Sequence, residues 1–143
     1  MNFDADVNAT VVKTFKNLAS ERVFDAWLNP ELAKKWLFPD GSVTKVEINA
    51  KVGGRFTFTD HRDGQDIEHV GMYLEIEHPR RLVFTWATVH DLPDTDRVIV
   101  EIAKTPDGCE LTLTHQVHPN WKDYTKHTEN AWAKMLQAME TAL

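Results

Sequence analysis

Cysteine is nearly absent from this chain. Its one thiol, Cys109, cannot close an internal disulfide, which suits a reducing compartment and makes the cytoplasm the expected location. Long apolar runs are missing as well. No stretch approaches the roughly 20 residues that span a bilayer, so neither a membrane segment nor a membrane partner is expected. Met1–Val7 holds two Asp and no basic segment leading into an apolar one, so it does not read as a signal peptide. Positive charge is scarce: Lys and Arg total 16 against 22 Asp and Glu, a formal charge of −6. Without a basic footprint, nucleic acid is not an expected partner, and Lys34-Lys35 and Arg80-Arg81 read as solvated surface. The chain also lacks a Gly-Xaa-Ser-Xaa-Gly elbow, a phosphate-cradling loop and a dinucleotide fingerprint. No cofactor and no catalytic residue is assigned from motifs.

What is present fits one globular domain. A length of 143 residues is enough for one core and short for two, and 42% hydrophobic with 27% charged residues is an ordinary soluble balance. The clearest element is the C-terminal run Asn120–Leu143. Trp121, Tyr124, Thr128, Ala131, Trp132, Met135, Leu136, Met139 and Leu143 recur there at three- and four-residue steps. That spacing predicts one long amphipathic helix whose aromatic and Met stripe needs an apolar surface to cover it.

The rest of the chain supplies such a surface. Val7–Phe15 alternates as a strand. A short helix follows with Ser20 as its expected N-cap, and Asn29-Pro30-Glu31 starts a second one that carries Leu32 and Trp36. From Ser42 onward the period falls to two. Strands are predicted at Val43–Ile48, Arg55–Asp60, Ile67–Glu77, Leu82–Val89, Arg97–Lys104 and Cys109–Val117. Val52-Gly53-Gly54, Asp63-Gly64, His78-Pro79 and Asp107-Gly108 are among the turns between them. Consecutive hairpins imply an antiparallel sheet with one face buried against the long helix, an α+β two-layer domain. Parity assigns Phe56 and Phe58; Val70, Met72 and Leu74; Leu82, Phe84 and Trp86; Val98, Val100 and Ile102; and Leu111, Leu113 and His115 to that face.

The ordered series of motifs resembles the heat-shock-protein-90 ATPase-activator-homologue-like family within the START-like (SRPBCC) superfamily. The pieces that carry the resemblance run over nearly the whole chain. They begin with Val23-Phe24-Asp25-Ala26-Trp27, Asn29-Pro30-Glu31, Lys35-Trp36, Pro39 and Val52-Gly53-Gly54. Gly64, Gly71, Pro79, Arg81-Leu82-Val83-Phe84-Thr85-Trp86, Leu111-Thr112-Leu113-Thr114-His115 and Trp132 complete them. The resemblance implies a helix-grip fold, a curved antiparallel sheet of about seven strands wrapped around the C-terminal helix with a cavity between. The family commonly carries Gly-Trp where this chain has Ala131-Trp132, and the extra methyl would shrink that cavity. Relatives in the superfamily include lipid carriers, hormone receptors, cyclases and co-chaperones, so the fold alone does not fix an activity. A homodimer stays open. The larger co-chaperones carry an N-terminal domain for which this chain has no room, which leaves a chaperone partner doubtful.

Several residues are candidates for a site. His115-Gln116-Val117-His118 is the nearest His pair, but residues 115 and 118 point to opposite faces of a strand and no third ligand is spaced for zinc, so no metal is expected. His115 itself faces inward, as a hydrogen-bonded core histidine or as a ligand contact. Asp60, Glu68, Glu75 and Glu77 read as solvated carboxylates, and Cys109 as a structural thiol. An aromatic and Met group, Trp36, Phe56, Phe58, Met72, Phe84, Trp86, Trp132, Met135 and Met139, serves equally as core and, with His115, as the lining of a cavity. The leading expectation is a non-enzymatic module binding a small apolar or amphipathic molecule. One alternative is a cyclase- or hydrolase-like enzyme using His115 or Tyr73, marked by polar groups converging on the cavity. The other is a chaperone-related interaction domain, marked by an exposed apolar patch elsewhere.

Overall fold

A computed structural model describes residues 7–143. The signal-peptide reading of Met1–Val7 therefore lies, for residues 1–6, outside the described residues. Strand β1 (Asn8–Lys16) leads into helices α1 (Ser20–Leu28) and α2 (Pro30–Trp36). Six further strands follow, β2 (Ser42–Ile48), β3 (Arg55–Arg62), β4 (Gln65–Glu77), β5 (Arg81–Thr88), β6 (Asp96–Thr105) and β7 (Gly108–Gln116), and then helix α3 (Thr125–Ala142). The seven strands form one antiparallel sheet in the order β1-β7-β6-β5-β4-β3-β2. This is the helix-grip architecture read from the sequence. The connection through α1 and α2 carries the chain from one edge strand of the sheet to the other.

Local chemistry accounts for the joints. Asn29 Oδ1 accepts from the Glu31 and Leu32 N–H groups at 2.9 and 3.3 Å, so α2 begins at a capped Pro-Glu start. Asp63 (φ 52°) and Gly64 (φ 75°) both take the left-handed conformation that a two-residue hairpin needs, which explains the Asp-Gly pair between β3 and β4. The core is continuous. Phe15, Phe24, Trp36, Phe56, Phe84, Leu111, Leu113, Trp132, Leu136 and Met139 are all buried in one cluster between sheet and helices. Lys13 on β1 reaches both Gln137 Oε1 and Glu140 Oε1 at 3.0 Å and pins α3 over the sheet.

Three expectations need correction. The long helix does not start at Asn120: Pro119–Tyr124 is a 3-10 turn with Trp121 off helical geometry (φ −131°, ψ 38°), and α3 begins at Thr125. Pro119 and the side chain of His118, which accepts from the Asn120 N–H, favour the tighter turn, and Tyr124 is left 62% exposed. Ser20 does not cap α1. Ala19 holds that position with no side-chain bond, and Ser20 is buried as the first helical residue. On β4 the parity is reversed: Tyr73 is buried while Leu74 is 37% exposed, and Met72 is only partly buried. Gly71 lies on the inward parity, where a Cβ would overlap the Thr85 carbonyl oxygen and the Phe56 ring. A residue without a side chain thus marks the crowded face, which makes the outward line Val70-Met72-Leu74 look more apolar than the inward one.

Candidate functional site

Between the sheet and α3 lies a cleft of about 600 Å³. Its floor comes from β3, β4 and β5, which contribute Asp60, Arg62, His69 and Trp86; β6 and β7 add Asp96 and His115. The 3-10 turn and α3 form the other wall with Trp121, Tyr124, His127, Ala131, Trp132 and Met135. Phe38 closes one side in a left-handed backbone conformation (φ 49°), a strained geometry that costs about 1–3 kcal/mol and lays its ring on His69 at 4.5 Å.

Of the residues read from the sequence as a lining, Trp86, His115, Trp132 and Met135 meet in this cleft. Trp36, Phe56, Phe58 and Phe84 instead surround, with Trp86 and Trp132, a void of about 10 Å³. That is at most the room of a single water and far below that of a ligand, so these rings are packed core. Met139 is fully buried in the core, and Met72 borders neither space. Tyr73 lines the small void rather than the cleft, and burial pushes its phenol pKa up.

His115 is held on both nitrogens. Trp132 Nε1 donates to His115 Nδ1 at 2.8 Å, and His115 Nε2 lies 2.6 Å from Asp96 Oδ2. An indole N–H can only donate, so Nδ1 must accept and the proton of this tautomer sits on Nε2, directed at Asp96. Asp96 accepts twice more on Oδ1, from the His118 N–H at 2.7 Å and from Trp121 Nε1 at 2.9 Å. One buried carboxylate thereby ties β7, the 3-10 turn and, through His115, helix α3 together. Asp96 shares the inward parity of Val98, Val100 and Ile102, which is the signal by which the sequence could have disclosed it.

Asp60 corrects the reading of solvated carboxylates: it is 2% exposed, and its Oδ2 pairs with Arg62 Nη2 at 3.1 Å. It follows Phe56 and Phe58 on the inward parity of β3, so the alternation pointed inward there too. Glu75 and Glu77 are exposed, as read. Asp60 Oδ1, Arg62 Nε and His69 Nδ1 are buried without a protein partner. Burial lowers the pKa of His69 to about 4, so this imidazole is neutral near pH 7. It is sandwiched between Phe38 and Trp86, the latter at 5.1 Å. Cys109 is fully buried and burial raises its thiol pKa, which leaves an unreactive side chain. Among the described residues no group of three or more His, Cys, Asp or Glu is placed to hold a metal ion, and no helix is long and apolar enough to cross a membrane.

Comparison with known proteins agrees with this architecture. The family model described as "Activator of Hsp90 ATPase homolog 1-like protein" matches residues 17–143. Among solved structures, a Nitrosomonas europaea protein superposes with a TM-score of 0.83 at 18% identity, covering 99% of this chain and 97% of that one. A Chromobacterium violaceum protein gives 0.81 at 23% identity, covering 95% and 96%. An AHSA1-like protein from Aeromonas hydrophila, solved in solution, gives 0.79 at 22% identity, covering 94% and 90%. At these identities the likeness is one of fold. No curated protein matches the chain in sequence.

Proposed function

We propose, from the premise that this chain belongs to the activator of Hsp90 ATPase homolog 1-like family, that it is a single-domain binding module holding a small apolar or amphipathic molecule between sheet and α3. The observation that carries the reading is the cleft of about 600 Å³, of the volume that drug-sized ligands occupy, where the rings of Phe38, Trp86, Trp121, Tyr124 and Trp132 meet polar and charged side chains, some with buried unpartnered atoms. Trp86, Trp132 and Met135 would supply apolar contact. Binding rather than catalysis is favoured because His115 has both ring nitrogens engaged, and Tyr73 lies outside the cleft. A histidine acting as general base needs a free nitrogen within reach of the proton it takes, which His115 lacks, while His69, whose Nδ1 has no protein partner, is enclosed between the Phe38 and Trp86 rings.

Trp86, Trp121 and Trp132 border the space and make it self-reporting. In a panel of fatty acids, sterols, flavonoids and polyketide-like aromatics, at least one compound should quench tryptophan emission saturably and raise the melting temperature. A ligand present at a hundred times its Kd stabilises the native state by about 2.7 kcal/mol. A panel that moves neither signal sinks the binding reading.

A further inference from the structure

On that reading of the cleft, we propose that its ligand is an organic cation, an apolar body bearing a protonated amine or a quaternary ammonium group. The walls and the charges point the same way. Phe38, Trp86, Trp121, Tyr124 and Trp132 surround one space, and the negative faces of aromatic rings attract a cation placed over them. The charged side chains of the lining are Asp60, Asp91 and Asp96 against Arg62. The only positive charge among them is already engaged by Asp60 Oδ2 at 3.1 Å.

The remaining negative charge is not cancelled. Asp96 receives its three hydrogen bonds from a histidine N–H, a backbone N–H and an indole N–H, which spread its charge without opposing it. Asp91 stands exposed at the rim, its Oδ2 accepting from Thr88 Oγ1 at 2.8 Å. Asp60, 2% exposed, keeps Oδ1 unpartnered, an acceptor for which the protein supplies no donor. His69 adds no positive charge near neutral pH, because burial holds its pKa near 4. Lysines on the adjoining helix are also occupied: Lys134 pairs with Asp40 at 2.9 Å and Lys126 with Glu129 at 3.5 Å. A concave space in which one sign of charge predominates, here three carboxylates to one guanidinium, concentrates the field of that charge. An anion would find one guanidinium, shared with Asp60 through Nη2 though its Nε is unpartnered, against the carboxylates of Asp91 and Asp96, and a neutral molecule would gain only apolar burial.

The test uses probes that share one naphthalene body: 2-naphthylmethylamine, its trimethylammonium analogue, 2-naphthylmethanol and 2-naphthylacetate. Each is titrated into the full chain by calorimetry near neutral pH, at low and at high salt. The two cations should bind about tenfold more tightly than the alcohol, with the acetate weakest and the preference shrinking as salt rises. Asp91→Asn, an exposed position that leaves the fold unburdened, should cut the amine-to-alcohol ratio by about threefold. An amine that outbinds the quaternary analogue supports N–H donation to the carboxylates of the lining, while equal binding supports the aromatic walls. Alcohol or acetate binding as tightly as the amine overturns the cation assignment and leaves the binding module intact. So does binding confined to compounds of the wider neutral and anionic panel. Failure of every compound in both sets removes the two proposals together.

Discussion

Trp132 Nε1 can only donate, and that one constraint orders the residues around it. It makes His115 Nδ1 an acceptor, which directs Nε2–H to Asp96 and lets Asp96 Oδ1 collect Trp121 and the His118 backbone. A buried donor or acceptor left without its partner costs about 1–3 kcal/mol, so the network rigidifies the cleft wall only because it is complete. His69, across the cleft, has no such support. Its burial disfavours the charged form and lowers its pKa from 6.5 to about 4. Between those values the unfolded chain binds a proton that the folded chain refuses, so stability is fully present above pH 6.5 and is lost as pH falls towards 4. The loss from this residue should reach about 3 kcal/mol. Urea unfolding across that window should therefore be steeper in pH for the wild type than for His69→Phe, which keeps a ring against Phe38. Parallel curves would mean that His69 is not the titrating group.

Helix α3 carries two departures from the simplest form of its pattern. The apolar spacing continues smoothly back to Trp121, yet Pro119 and the His118 cap convert the approach into a 3-10 turn, and the turn swings the Trp121 indole onto Asp96 at 2.9 Å. Periodicity alone could not disclose this, because both geometries bring apolar residues to the same side over a single turn. The other departure is Ala131, a small residue that lines the cleft within the otherwise bulky apolar stripe. A methyl suits a helix better than none by about 1 kcal/mol and occupies part of the ligand's space. Enlarging it further separates binding from folding. Ala131→Leu exchanges one strong helix former for another and projects into the cleft rather than into packed core. Its melting curve should match the wild type within about 0.5 kcal/mol, while affinity for any compound found by tryptophan quenching should fall about tenfold. Undiminished affinity in a fully folded variant would place the ligand elsewhere.

Across the whole molecule, what the sequence disclosed and what it concealed divide along a physical line. The succession of strands along the chain, the two short helices and the covering helix followed from changes of period, from Asn29-Pro30 and from Asp63-Gly64, all of which act through local backbone geometry, whereas the pairing of β1 with β7 is a long-range contact that no local signal carries. The face of β4 did not, because Gly71 is chosen for the Phe56 ring and the Thr85 carbonyl that crowd it, contacts made only after the sheet forms. The separation of core from cleft was equally hidden. Phe56, Phe58 and Phe84 share the aromatic character and inward parity of Trp86, and only the packing of α1 and α2, with Trp36, over one half of the sheet fills that half with rings. Trp132 stands at the boundary. Its ring lies 5.8 Å from Trp27 on the filled side and 5.2 Å from Trp86 beside the cleft, and it is 2% exposed. Because one side chain joins α1, the sheet and α3, its loss should be felt by every element at once. Trp132→Ala should lower the unfolding free energy by about 3–5 kcal/mol, the range for a buried aromatic, with further loss from His115 Nδ1 left unpaired. If the fold is one cooperative unit, far- and near-ultraviolet circular dichroism should still report coincident transitions in the variant. A near-zero change would contradict the placement of α3, and separated transitions would show that the sheet holds its structure without the helix it grips.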